Sequence, residues 1–203
     1  MIIRAQIAIL VVLFGFGWVQ TDAAPRRLSA RIGVKIMSGA DAARAATPIN
    51  RIQKGDRVAV YLEPRQAGFF YIIESHGKRA RLLQRGPAPK ARKVRAPERP
   101  HALGGGESRL HVILAPGRLA AVEGLFARGD VPTERWRTLA LELERAGRMG
   151  LTDTSPRPIP VAAGVRGMGD EQTRDLAADP FFRKLRTYSG RGLIVREYRF
   201  HLD

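Results

Sequence analysis

Four histidines, His76, His101, His111 and His201, are the side chains in this sequence best suited to move protons near neutral pH or to hold a metal ion. None lies two to four residues from another, so the spacing that lets two imidazoles share one metal is absent. His76 falls in a predicted hairpin turn, and His111 and His201 fall on predicted strand faces. Gly105-Gly106-Glu107-Ser108-Arg109 does not make the Gly-x-Ser-x-Gly elbow that exposes a nucleophilic serine. Gly104-Gly105-Gly106 lacks the Gly-Lys-Ser/Thr that completes a phosphate-binding loop. Glu142 and Glu144 lie two apart on a predicted helix and diverge, while Glu123 and Glu134 have no evident partner, so no carboxylate pair is arranged for acid–base work. The sequence offers no catalytic residue, metal site or cofactor, and the expectation is a protein that is not an enzyme. A hydrolase assembled across sequence distance is the alternative.

The chemistry that remains is electrostatic. The chain carries a formal charge of +16, with 29 arginines and 6 lysines. Such a balance favours acidic partners: lipid headgroups, acidic glycans, a negative protein surface or nucleic acid. Residues 85–101 hold six Lys or Arg, four prolines and one acid, Glu98. Proline spacing and charge repulsion predict an extended, mobile loop there. Within it Lys90, Arg92, Lys93, Arg95 and Arg99 are the candidate partner-binding residues, suited to gripping phosphate or carboxylate groups. The competing reading is a solvated loop whose charges only keep it extended.

The elements that must position these residues read mainly as strands. Leu28, Ala30, Ile32, Val34 and Ile36 alternate on one face of a first strand. Residues 38–47 read as a connection, and Lys54-Gly55-Asp56 as a turn into a strand from Arg57 to Glu63. Phe69 to Ile73 is apolar on both faces, as a central strand must be. Residues 74–78 supply hairpin chemistry before a return strand with Leu82 and Leu83, and Leu110, Val112 and Leu114 restart the alternation. Leu119, Val122 and Phe126 then share a face of a short helix. Trp136, Leu139, Ala140 and Leu143 do so on a second one, capped by Asp130 or Thr133 and ended by Gly147. Residues 151–169 read as irregular. Asp179-Pro180 opens a last short helix with Phe181, Leu185 and Tyr188 inward, and Ile194 to Leu202 closes the chain as a strand. No internal repeat emerges.

Ahead of the first strand stands a segment of different character. Arg4 precedes an apolar run from Ile7 to Val19, followed by Gln20-Thr21-Asp22 and Ala23-Ala24-Pro25. Charged, apolar and small-residue regions in that order predict a secretory signal peptide, cut after Ala23. A retained anchor is the alternative, although a spanning helix takes about 20 apolar residues. The sequence has no cysteine, which excludes a disulfide framework, a thiolate metal site and lipid attachment at the cut. An extracytoplasmic setting, periplasmic or secreted, makes nucleic acid a poor natural target for the basic charge.

Several of these features occur in a characteristic order: Lys54-Gly55-Asp56-Arg57-Val58, then Gly68-Phe69-Phe70-Tyr71-Ile72-Ile73, the turn at residues 74–78, and residues 108–116 leading into a small helix. This arrangement, roughly residues 32–126, resembles the bacterial family of exported domains catalogued as domain of unknown function 4384. The resemblance implies a β-sandwich-like accessory domain beside protease-like or envelope-associated modules, and it lends no catalytic residue. The expected architecture is a mainly β, sandwich-like domain of five to six strands over residues 24–128. Two to four short helices are appended in the C-terminal half, and residues 129–203 form a helical extension with a C-terminal strand packed on the same domain. The expected function is a non-catalytic interaction module of the bacterial cell envelope, binding an envelope protein or an acidic envelope polymer. Membrane contact would come only through the signal segment or peripheral electrostatics. A hydrolase, or an accessory subunit of a protease-like envelope enzyme, is the alternative.

Overall fold

The computed structural model describes residues 27–39, 43–148, 151–155 and 179–202, which build a mainly β structure of two six-stranded sheets. The apolar N-terminal run, the cut expected after Ala23 and residues 156–169 of the expected irregular stretch lie outside the described residues.

β1 (Arg27–Met37) buries every second residue along its length, as its period-two pattern requires. β2 (Arg44–Ala45) and β3 (Ile49–Ile52) follow. β4 (Arg57–Pro64), β5 (Gly68–His76), β6 (Arg79–Ala88), β7 (Val94–Ala102) and β8 (Glu107–Ala115) then run alternately up and down. α1 (Ala120–Leu125), β9 (Val131–Pro132) and α2 (Thr133–Arg148) come next. β10 (Thr152–Asp153), a 3-10 turn (Pro180–Lys184), β11 (Arg186–Arg191) and β12 (Ile194–Leu202) complete the described chain. One sheet has the order β10-β11-β1-β4-β7, with β2 also on β1, and the other has β3-β12-β8-β5-β6-β9.

Three apolar layers follow from strand alternation. Between the sheets, Ile32, Val34, Val60 and Leu62 of the first meet Phe70, Ile72, Val112 and Phe200 of the second, all but sealed from solvent. The outer face of the second sheet presents Tyr71, Ile73 and Ile113, and α1 and α2 cover it with Val122, Phe126 and Trp136. On the outer face of the first sheet, Tyr61 meets Phe181, Phe182 and Leu185 of the 3-10 turn. That turn is capped by Asp179, whose carboxylate accepts from the Phe181 N–H at 2.9 Å.

The structure is mainly β and sandwich-like as expected; among the described residues it has twelve strands, four of them only two to four residues long, where five or six were expected, and its helices are α1, α2 and the 3-10 turn. Residues 129–203 supply more than a helical extension, because β11 inserts beside β1 and β12 beside β8. Tyr188 belongs to β11, not to a helix. The largest difference lies in residues 85–101, read from sequence as a loop. β6 runs on through Ala88, and β7 crosses to the first sheet and pairs with β4. Prolines are tolerated in β7 because it is an edge strand, where a missing N–H breaks no ladder on its open side. The register slips between Val58 and Val60, so residues 97–100 bulge out of the pairing.

Candidate functional site

His111 lies on the outer face of β8 under α2, directly opposite Glu197 of β12 in the antiparallel register. Its Nε2 is 3.4 Å from Glu197 Oε2 and 3.8 Å from Glu144 Oε1 of α2. On the other side of the ring, the Trp136 indole Nε1–H donates to His111 Nδ1 at 3.4 Å. A cavity of about 230 Å³ opens beside this cluster, lined by Ser75, Arg109, Thr133, Arg137 and Leu141 among others.

The donor atoms of His111, Glu144 and Glu197 all lie within 4.8 Å of one another, a spacing compatible with a metal ion. The partner of the His111 Nδ1 atom argues otherwise. An imidazole that binds metal through Nε2 carries its proton on Nδ1 and normally donates it to an acceptor. Here Nδ1 faces the indole N–H, which is only a donor. That contact puts a donor where a metal-bound imidazole needs an acceptor, and it leaves Nε2 facing two carboxylates. The hydrogen bond from His111 is the chief reason that the Glu197 carboxyl is held far below its ordinary range. Arg199, whose Nε donates to Glu197 Oε1 at 2.5 Å, adds to the effect against the cost of burial. The cluster thus works as a buried polar clamp tying α2 to β8 and β12.

A second polar cluster closes one end of the sandwich between the sheets. Glu74 of β5 meets His101 Nε2 of β7 at 2.8 Å and accepts from the Gly104 N–H at 3.1 Å. Burial works to raise the Glu74 carboxyl, but the hydrogen bonds from His101 and Gly104 outweigh it and hold the group below its ordinary 4.5. Ser108 Oγ lies 3.3 Å from His76 Nδ1 and donates to the Gly104 carbonyl at 3.2 Å. The grouping has the side chains of a hydrolytic triad without its arrangement. Ser108 is completely buried, out of reach of any substrate, and Glu74 orients His101 and not His76. Glycine is required beside it, since a Cβ on Gly104 would stand 2.5 Å from the His76 ring.

The five basic residues singled out in the sequence are only partly brought together. Lys90 and Arg92 are exposed at the tip between β6 and β7. Lys93 is half-buried with its ammonium 4.6 Å from the centre of the Phe182 ring. Arg95 faces outward opposite Tyr61 and donates to the Glu98 carbonyl at 3.1 Å, and Arg99 is exposed farther along in the bulge. They form no single loop. Instead, the Ala91 N–H donates to the Pro64 carbonyl at 2.7 Å, and the Arg65 N–H donates to the Ser29 carbonyl at 2.8 Å. These bonds place the β6–β7 tip beside the β4–β5 turn and the start of β1. The β8–α1 connection joins them through the Phe69–Ala115 pairing, and the β11–β12 turn through that of Arg27 with Arg191. A Cβ on Gly68 would lie 2.4 Å from the Ala115 carbonyl oxygen, so glycine allows this close approach.

This end of the sandwich thereby gathers residues 27–30, 64–68, 88–93, 115–119 and 191–193. Together they contain seven Lys or Arg and no Asp or Glu. Arg27, Arg65, Arg118 and Arg191, exposed here beside Lys90 and Arg92, stand far apart along the sequence, so no local motif marks them. Among the described residues no helix is long and apolar enough to cross a membrane. Comparison with protein-family models, with curated proteins and with solved structures finds no match to this chain.

Proposed function

We propose that the protein is a non-catalytic interaction module of the bacterial cell envelope, exported by its N-terminal segment and acting on an acidic or protein partner. One observation carries this reading: separated turns deliver a carboxylate-free set of exposed cations to one end of the sandwich. The polar clusters that resemble catalytic machinery point the same way. Ser108 is sealed, and His111 is engaged on both ring nitrogens. Long-range attraction from such an end accelerates encounter and weakens steeply with salt.

The test is crosslinking in fractionated cells from probes placed at Lys90 and, separately, at Lys54. The reading expects the chain in the envelope fraction, with adducts from position 90 and few from position 54. Recovery in the cytoplasm, or equal adducts from both positions, would overturn it. A hydrolase acting on envelope material is the second reading, favoured by the cavity beside His111. It requires that His111→Gln abolish an activity while leaving the fold intact, a result the module reading does not allow.

A further inference from the structure

We propose that the basic end of the sandwich docks on the anionic phosphate headgroups of a phospholipid bilayer. This deepens the envelope-module reading and takes its cellular setting from it.

Charge asymmetry comes first. If the basic character were only a compositional habit, both ends would share it. The opposite end, built from residues 52–57, 76–79, 102–107 and 129–133, interleaves Lys54, Arg57, Lys78 and Arg79 with Asp56, Glu107 and Asp130. The five ranges that build the basic end contain no such acids; Asp153 of β10, on the first sheet, lies opposite Tyr188 and near Arg186. Second, Arg27 and Arg191 stand directly opposite each other on antiparallel strands, an arrangement that costs stability in the isolated protein. An array of phosphates in front of them turns that repulsion into attraction. Third, the cations ride on turns and strand ends, not in a cleft. Arg65, Lys90, Arg92 and Arg191 line none of the cavities beside His111, His76, Ile49 or Tyr198. A small anion needs a concave site, whereas a sheet of headgroups needs a surface.

Position supplies the fourth argument. The apolar run ends at Val19 and β1 begins at Arg27, on this same end. A chain that short spans at most about 29 Å even when fully extended. Whenever the run occupies a bilayer, during export or as a retained anchor, the basic end is therefore the part of the fold held nearest the membrane surface.

Co-sedimentation with vesicles tests the proposal, using the chain from Ala24 onward, which keeps every described contact. It is expected to bind vesicles of phosphatidylcholine mixed with phosphatidylglycerol and to leave phosphatidylcholine vesicles unbound. R65A/K90A/R92A/R191A should lower partitioning about 100-fold or more, at the usual contribution of one basic residue near an anionic surface. K54A/R57A/K78A/R79A removes equal charge from the opposite end and should change it by less than about 3-fold. Circular dichroism checks that both variants fold. Absence of binding to the anionic vesicles would overturn the proposal, as would equal losses in the two variants. Displacement from the vesicles by a soluble polyuronate at matched charge would also overturn it, assigning the surface to an acidic polymer. Because the vesicles are defined, failure here leaves the cellular crosslinking result standing, and the reverse also holds.

Discussion

His111 and Glu74 show how a charged or titratable side chain is accommodated in a β-rich core: each is given a complete set of partners. Trp136→Phe keeps the apolar packing but removes the donor to His111 Nδ1, and should cost about 1 kcal/mol. Trp136→Ala also opens a cavity under α2 and should cost about 3–5 kcal/mol in urea unfolding. A larger loss for Phe than for Ala would contradict the clamp. For Glu74 the sign follows from its lowered folded value. The unfolded group titrates near 4.5, so its contribution is fully present above that pH and is lost as pH falls through the lower folded value. Glu74→Gln should therefore lower the Tm at pH 7, and the gap to the parent protein should close progressively below pH 4.5. A gap independent of pH would refute this. Neither cluster was legible in the sequence. His111, Glu144 and Glu197 sit on three different elements, and only the pairing of β8 with β12 and the placement of α2 bring them together.

At the scale of elements, strand alternation carried most of the fold. Leu28 to Ile36 and Leu110 to Leu114 read as strands because each has a definite buried face. β7 did not, because its prolines and charges suit an edge strand as well as they suit a loop, and local sequence does not say which edge is available. β2, β3, β9 and β10 are two to four residues long, too short for periodicity to register. The 3-10 turn shows what fixes a short element in place. Asp179 accepts from the Phe181 N–H, from Lys35 Nζ at 2.9 Å and from Tyr61 Oη at 3.0 Å. Burial would raise its carboxyl, but these hydrogen bonds, led by that from Lys35, hold it below the ordinary range. Asp179→Ala should destabilise the protein by about 2 kcal/mol, chiefly by releasing the turn. Asp179→Asn keeps an acceptor for the Phe181 N–H and should cost roughly half as much. Hydrogen exchange at the Phe181 and Phe182 amides would show the release directly, and unchanged protection in Asp179→Ala would exclude the cap.

For the molecule as a whole, connectivity converts a scattered composition into a polar one. Because the strands run up and down, every second turn falls at the same end. The turns with Arg65, with Lys90 and Arg92, and with Arg118 are successive members of that set, and the start of β1 and the β11–β12 turn join them. The cations stand at alternate strand ends along the sequence, and only the strand order brings them to one end of the molecule. Residues 85–101 are split between the end of β6, an exposed tip and β7, so their charge is spread along an edge strand and not held in one loop. The most direct test of the account is the salt dependence of capture from envelope fractions by three proteins: the chain from Ala24, R65A/K90A/R92A/R191A, and K54A/R57A/K78A/R79A. Partner capture by the parent chain should fall steeply with salt, the basic-end variant should capture little at any salt, and the opposite-end variant should follow the parent. Capture by the basic-end variant with the parent's strength and salt profile would contradict it.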